Sequence, residues 1–219
     1  MADWIDVTLP IRAGMTHWPD DPSPRVERVL DLARGDACTL THLDFSAHTG
    51  THVDAPAHFV AGAATLDDLP AGALVGPALV LDIADPRRVT AAELRPARLR
   101  RGARLLLRTA NSARGVLNAP FAADYVALDL AAARLLAARG VRAVGIDALS
   151  IGAPGEEGDE VHRVLFAAGI WVIEGLDLAA VPAGHVDLVC LPLRLAGAEG
   201  APARALVRPR PPTRSRVER

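Results

Sequence analysis

The sequence predicts an α/β protein, a single domain with a mixed β-sheet flanked by helices. Four apolar runs have the composition of buried strands, and they span residues 78–83, 104–109, 143–147 and 170–174. Helix-like segments separate these runs, as expected where strands and helices alternate. Two later strand-like runs, 186–195 and 203–207, follow one another without a helix, which favours antiparallel additions to the sheet.

Capping signals define the helices between these strands. Thr90 is followed three residues later by Glu93, a capping box that predicts a helix start. Residues 129–139 are rich in Ala and Leu and are followed by Gly140, so they predict a helix that ends at this glycine.

Composition limits the classes of function. The 219 residues are 50% hydrophobic, with a formal net charge of -2 and a pI near 6.4. We therefore predict one domain over residues 1–208, without affinity for nucleic acid or membrane. The chain shows no signal-peptide pattern and no apolar run of about 20 residues, which predicts a cytoplasmic protein. Residues 209–219 are rich in Pro and Arg and predict a disordered tail.

Several catalytic classes lack their motifs. Cys38 and Cys190 each lie in an apolar or strand-like segment, so we predict buried free thiols rather than a disulfide or metal ligands. No Gly-x-Ser-x-Gly elbow is present, which disfavours a serine hydrolase. A dinucleotide-dependent enzyme is disfavoured too, because no Gly-x-Gly-x-x-Gly follows a predicted strand.

A single short segment carries four side chains of the metal-ligand type, in the order His48, His52, Asp54 and His58. A lone buried histidine is more often structural, but this cluster favours a metal site. Imidazole and carboxylate without thiolate suit zinc first and manganese or iron second. An extended chain would spread the four groups over roughly 30 Å, so the segment must bend, and Gly50 and Pro56 favour a bend.

The second half of the chain offers two further candidates. Glu174 ends an apolar strand, where a buried carboxylate needs either a metal ion or an Arg partner, and its position leaves both interpretations open. His162 opens a helix-like run at 161–168, after an acidic, glycine-rich loop at 154–158. By itself, a histidine there is typical of a surface or capping residue.

The motif and these two residues together resemble a known family. His48 to His58 fits the pattern His-x-Gly-Thr-His-x-Asp-x-Pro-x-His at every defined position, and His162 and Glu174 follow later. The chain thereby resembles, over nearly its whole length, the cyclase-type metal-dependent hydrolases, a family that includes bacterial kynurenine formamidase. The resemblance implies an α/β fold with a mixed sheet, a small-molecule substrate and a homodimer or larger homo-oligomer.

The resemblance also implies a role for each candidate residue. It implies two divalent metal ions, Zn²⁺ in the first place and Mn²⁺ as the alternative. Their ligands would be His48, His52 and Asp54 for one ion, His162 for the other, and Asp54 and Glu174 as bridges. His58 would be the general acid/base. The family's aromatic substrate contact would fall on Trp18, although simple packing of this side chain is nearly as compatible with its Pro-rich turn.

Two segments depart from the kynurenine formamidase pattern. Those enzymes tend to have Thr-Pro-Ser after a strand-end Asp, and a His-His pair later. This chain has Asp147-Ala148-Leu149-Ser150, and its His162 is followed by Arg163. The departures leave the metal motif intact and concern the substrate.

Three functions follow as hypotheses. The first is hydrolysis of a C–N amide bond, by an arylformamidase that converts N-formyl-L-kynurenine to L-kynurenine and formate through metal-activated water, with His58 as general acid/base. The second is a hydrolase or cyclase that acts on another cyclic amide or a lactone, such as isatin. The third, from a different class, is a metal-stabilised binding or structural protein without turnover.

Overall fold

The computed structural model describes residues 3–70 and 72–211 of the chain. The strands are β1 (Ile5–Asp6), β2 (Arg25–Leu30), β3 (Leu40–Asp44), β4 (His52–Asp54), β5 (Val75–Asp82), β6 (Arg88–Val89), β7 (Arg104–Arg108), β8 (Ala127–Leu128), β9 (Ala143–Ile146), β10 (Trp171–Glu174), β11 (Gly184–Pro192) and β12 (Gly200–Pro209). The helices are α1 (Ala91–Leu94), α2 (Ala110–Arg114), α3 (Leu130–Arg139) and α4 (Glu156–Ala167). Short 3₁₀ helices lie at Leu32–Arg34, Pro56–His58, Leu66–Asp68 and Val116–Asn118. Within the described ranges, no helix has both the length and the apolar character needed to cross a membrane.

Eight strands form one mixed sheet in the order β1-β12-β11-β5-β7-β9-β10-β4. The strands from β5 to β10 in this order are parallel, whereas β4, β11 and β12 pair antiparallel with their neighbours. β12 also pairs with β4, so the sheet closes on itself like a barrel. The predicted α/β class and mixed sheet are confirmed. The closure was not predicted, because β4 is only 3 residues long.

The central strands bury both faces, because their side chains alternate between two hydrophobic cores. On β7, Leu105 and Leu107 pack on the side of α3 and α4, whereas Leu106 belongs to the opposite core. On β10, Val172 faces the helices and Ile173 faces the opposite core. This two-sided burial explains why these strands are continuous apolar runs in the sequence.

The helix starts differ in how well the sequence predicts them. α3 begins after Asp129, whose side chain accepts a hydrogen bond from the backbone N–H of Ala132, and it ends at Gly140 in a left-handed conformation, as predicted. α4 begins at Glu156, five residues before the predicted start, because three acidic side chains in its first turn stabilise the positive end of the helix dipole. His162 therefore lies inside a helix and does not open one.

The last two strands need corrections at their ends. β11 ends at Pro192, three residues before the end of the predicted run. β12 continues to Pro209, and the backbone N–H of Arg210 donates to His185 O at 2.9 Å, so strand pairing reaches the first residues of the predicted tail. Residues 212–219 of that tail lie outside the described residues.

The prediction of two buried thiols is half wrong. Cys190 is buried on β11, as predicted, but Cys38 is exposed, and both are free. Cys38 lies in the connection between β2 and β3, a hairpin whose strand residues are almost all exposed. Its local sequence resembles a buried strand, yet no layer formed by the described residues covers the hairpin.

Asp147, just after β9, holds the start of α2. Its buried carboxylate accepts from the backbone N–H and hydroxyl of Thr109 at 2.9 and 2.8 Å, and from those of Ser112 at 3.1 and 2.5 Å. Because Asp147→Ala leaves four donors without their acceptor, we expect the free energy of unfolding to fall by about 2–4 kcal/mol. Urea unfolding measures the loss, with Asp3→Ala, at an exposed residue, as control. Equal stability of the two variants would contradict this role.

Candidate metal centre

β4 lies between β10 and β12 and places the first candidate ligands. His52 and Asp54 are two residues apart and point to the same face, while Val53 between them packs into a hydrophobic core. Glu174, the last residue of β10, is directly opposite His52 in the antiparallel pairing. Two distant parts of the chain thus bring one imidazole and two carboxylates together, each side chain at most 5% exposed.

The chain bends on both sides of β4 and returns the other two histidines of the motif. His48 lies in the turn before the strand, where Gly50 has a φ of +70°. Pro56 begins the 3₁₀ helix that ends at His58. The rings of His48 and His58 stack with their centroids 3.9 Å apart. All four ligand-type side chains of the motif are therefore in one place.

The donor atoms form a connected chain of short contacts. Asp54 Oδ1 lies 2.8 Å from His48 Nδ1 and 3.2 Å from His52 Nε2. Glu174 Oε2 lies 3.3 Å from His52 Nε2, and its Oε1 lies 3.2 Å from His162 Nε2. Each carboxylate thus contacts two imidazoles, and His52 contacts both carboxylates.

Backbone carbonyls orient two of the histidines. The Nδ1 of His52 lies 3.0 Å from Gly50 O, and the Nδ1 of His162 lies 2.7 Å from Gly158 O. A carbonyl oxygen can only accept, so Nδ1 carries a proton in both rings, and Nε2 is the nitrogen that faces the carboxylates and can take either a proton or a metal ion. An imidazole held in this way is typical of a metal ligand.

The cluster fits a divalent cation. Three of its buried atoms have no hydrogen-bond partner among the described residues, namely His48 Nε2, His52 Nε2 and Asp54 Oδ2. Two groups have donor atoms within 4.8 Å of one another and could hold an ion, His48 with Asp54 and His58, and His52 with Asp54 and Glu174. Asp54 belongs to both groups. Unsatisfied buried donors and acceptors are costly, and coordination would relieve that cost.

The electrostatics of the cluster favour positive charge. Burial alone would lower the pKa of His52, but the carboxylates of Asp54 and Glu174 raise it well above its usual value. Burial opposes the charge of His162 as well, yet the hydrogen bond to Glu174 raises its pKa. Burial would raise the pKa of Asp54, but the neighbouring histidines hold it well below its usual range. Protons and metal ions therefore compete for this site.

His58 has a different environment from the other histidines of the motif. His58 is exposed to solvent, whereas His52 is buried and His48 is half-buried. Partial burial of the ring lowers the pKa of His58, and this effect outweighs the attraction of the Asp54 carboxylate. The lowered pKa favours the neutral ring, which is the form that can accept a proton.

The aromatic side chains of Trp18 and Phe59 differ in the rings against which they pack. Trp18 packs on the helix-side core, edge-to-face with Phe121 at a centroid distance of 5.3 Å, so its ring partner is not one of the histidines. Phe59 instead stacks on His162, with centroids 4.2 Å apart and ring planes 14° apart. The sequence reasoning missed Phe59, although its position next to His58 was a usable signal.

The segments that depart from the kynurenine formamidase pattern differ in their relation to the centre. Arg163 points away from the centre, since the half-exposed arginine side chain pairs with Asp159 and Glu160 on the surface of α4. Ser150 contacts the centre, since the serine hydroxyl donates to Glu174 Oε1 at 3.4 Å. The departure at Arg163 therefore leaves the donor cluster unchanged.

The fold and the site define an α/β protein with a buried centre of imidazoles and carboxylates that suits a divalent metal ion. Residues 5–153 match the cyclase family, described as "Putative cyclase". Kynurenine formamidase of Bacillus thuringiensis (strain Al Hakam) is 33% identical over 209 residues, which are 95% of this chain and 98% of that protein. The chain belongs to the cyclase family.

Solved structures agree with this assignment. A "Potential Metal-Dependent Hydrolase With Cyclase Activity" is 36% identical with a TM-score of 0.85, over 97% of this chain and 100% of that one. A "predicted metal-dependent hydrolase from Bacillus stearothermophilus" is 37% identical with a TM-score of 0.82, over 94% and 98%. Isatin hydrolase A from Labrenzia aggregata shares the fold, at 24% identity and a TM-score of 0.79 over 94% and 93%. The predicted family and the prediction of an enzyme are confirmed, which sets aside the binding-protein hypothesis.

Proposed function

We propose that this enzyme is an arylformamidase that hydrolyses N-formyl-L-kynurenine to L-kynurenine and formate. The observation that carries the proposal is the buried cluster of imidazoles and carboxylates, in which some nitrogen and oxygen atoms have no hydrogen-bond partner in the part of the chain that the structure describes. Kynurenine formamidases of 32–34% identity that match this chain over about 95% of its length support the choice of substrate.

The centre would hold two divalent ions, Zn²⁺ in the first place and Mn²⁺ as the alternative. The proposed ligands of one ion are His48, His52 and Asp54, and His162 is the proposed ligand of the other. Asp54 and Glu174 would be the shared carboxylates. The presence of Asp54 in both candidate groups supports its shared role. When bound, such ions supply Lewis acidity, which polarises a carbonyl and lowers the pKa of water.

The protein's own residues supply binding and proton transfer. His58 takes a proton from the attacking water and passes it to the leaving nitrogen, a role that its lowered pKa and exposure support. The formyl C–N bond breaks, the nitrogen gains the proton as an amine, and the formyl carbon leaves as formate. Phe59, stacked beside His162, provides an aromatic surface at the centre. Trp18 is retained as a proposed substrate contact.

Formate release from N-formyl-L-kynurenine, measured together with metal content, tests the proposal. Chelation should abolish turnover, and addition of Zn²⁺ or Mn²⁺ should restore it, with two ions bound per chain. Apoprotein that retains full turnover would contradict the metal centre. Protein that contains metal but releases no formate would exclude the formamidase activity and favour the second candidate.

The second candidate is hydrolysis of a cyclic amide or a lactone. The fold shared with an isatin hydrolase supports it, and so does Ala148-Leu149 in place of the Thr-Pro of the formamidase pattern. A panel of isatin, aryl lactones and N-formyl-L-kynurenine separates the candidates, because only one substrate class should show the higher kcat/KM.

We further propose a homodimer or larger homo-oligomer in the cytoplasm. Apolar side chains exposed on the β2–β3 hairpin, among them Val26, Leu40 and Leu43, support an association surface. The two free cysteines are compatible with a reducing compartment. Sedimentation measurements on the purified chain test the oligomeric state.

A further inference from the structure

Glu199 is an additional carboxylate at the edge of the metal centre. It immediately precedes β12, and its Oε1 lies 3.4 Å from His48 Nε2. The Glu199 side chain is 45% exposed and that of His48 is 14% exposed, so the contact lies on the solvent side of the cluster.

His48 differs from the other candidate histidine ligands in the nitrogen that faces the centre. His52 and His162 direct Nε2 inward, and their Nδ1 atoms contact backbone carbonyls. His48 directs Nδ1 inward, at 2.8 Å from Asp54 Oδ1. Its other nitrogen, Nε2, is buried, and no contact to it among the described residues has hydrogen-bond geometry. A carboxylate oxygen, that of Glu199, lies 3.4 Å from this nitrogen, where a small rotation of the exposed side chain would form the bond.

The proton on His48 determines which nitrogen can bind a cation. A neutral imidazole carries one proton, so a lone pair on the inward Nδ1 requires the proton on Nε2. That Nε2–H needs an acceptor, and Glu199 Oε1 is within 3.4 Å. We propose that Glu199 is a positioning residue. Its carboxylate accepts a hydrogen bond from His48 Nε2–H and thereby selects the tautomer in which His48 binds metal through Nδ1. The inference rests on the proposed metal centre.

The backbone around Glu199 is fixed against the motif. The backbone N–H of Ala55 donates to Glu199 O at 2.8 Å. A Cβ on Gly200 would lie 2.6 Å from His48 Cε1, so glycine is required for β12 to approach the ring this closely. Glu199 therefore starts from a fixed backbone position beside His48, and its side chain has little distance to cover.

Affinity for Zn²⁺, measured by chelator competition, tests the inference without relying on activity. Glu199→Ala should weaken binding about 10- to 100-fold, the usual cost of losing a partner of a metal ligand. Glu199→Gln should weaken it less, because the amide oxygen still accepts a hydrogen bond. Asp3→Asn, at an exposed residue before β1, is the control for charge. Equal affinities of Glu199→Ala and this control would overturn the inference.

A double-mutant cycle separates an effect through His48 from a general effect of charge. In the His48→Asn background, Glu199→Ala should cause no further loss of Zn²⁺ affinity. A loss as large as in the wild-type background would show that Glu199 acts on the centre without His48, which would overturn the assigned role.

The imidazole ¹H–¹⁵N spectrum of the Zn²⁺-loaded protein provides an independent readout. The His48 signals, identified by their absence in His48→Asn, should show a protonated Nε2 and a metal-bound Nδ1. A protonated Nδ1 would overturn the inference even if Zn²⁺ is bound. Failure of the wild-type protein to bind Zn²⁺ in the first assay would instead overturn the proposed metal centre, together with this inference.

Discussion

Asp54→Asn is expected to remove bound metal and to lower kcat/KM by at least about 100-fold. Asp54 belongs to both groups that could hold an ion, and its Oδ1 contacts His48 and His52. The substitution keeps the size of the side chain but removes its negative charge, which also helps to keep the pKa of His52 high. Loss of a residue that hydrogen-bonds a metal ligand typically lowers metal affinity or activity 10- to 100-fold, and loss of a shared ligand should lower them more.

Metal analysis of purified Asp54→Asn measures the first effect, and formate release measures the second. Asp3→Asn, at an exposed residue before β1, is the matched control and should retain both metal and turnover. Thermal unfolding without metal should show that the fold of the Asp54 variant persists. Wild-type metal content in this variant would rule out Asp54 as a ligand.

His58→Ala is expected to retain its metal, while its kcat falls by about 10²- to 10⁴-fold, the range typical of the loss of a general acid/base. The competing interpretation is that His58 is a ligand, since one candidate ion-binding group includes it with His48 and Asp54. Metal content decides between them, because loss of an ion from the variant would assign His58 to the ligand set. The exposed His185→Ala on β11 is the control.

The pH dependence of kcat/KM provides a second test of His58. Because partial burial lowers its pKa, the neutral ring persists above that pKa and is lost as the pH falls through it. Wild-type activity should therefore decline on the acid side with a midpoint below about 6.5, the ordinary value for histidine. This decline should be absent from the residual activity of His58→Ala. An identical acid limb in both proteins would assign it to another group.

The parts of the fold that could be predicted are those encoded by neighbouring residues. The apolar run on β7 predicts a strand because Leu105, Leu106 and Leu107 are buried on both faces. α3 is predicted because its cap, Asp129, and the glycine at its end are adjacent to it in the sequence. The motif from His48 to His58 is similarly contiguous, so its donors can be recognised without knowledge of the fold.

The remaining features depend on contacts between residues far apart in the sequence. Glu199 follows His48 by about 150 positions, and only the pairing of β12 with β4 brings them together. Ser150 reaches Glu174 because the loop after β9 passes over the end of β10. Cys38 was predicted to be buried because its local sequence resembles a strand, and such a pattern does not reveal whether another layer covers it.

The pairing of β12 with both β1 and β4 has a consequence for biosynthesis. It joins Ile5 to Val207 and Asp54 to Gly200, so one edge of β4 stays unpaired until residues 200–202 have left the ribosome. Contacts between such distant residues form late, because the entropy lost in closing the intervening chain opposes them. The candidate ligands end at Glu174, so every one of them has been synthesised before β12, and β12 closes the sheet beside them afterwards.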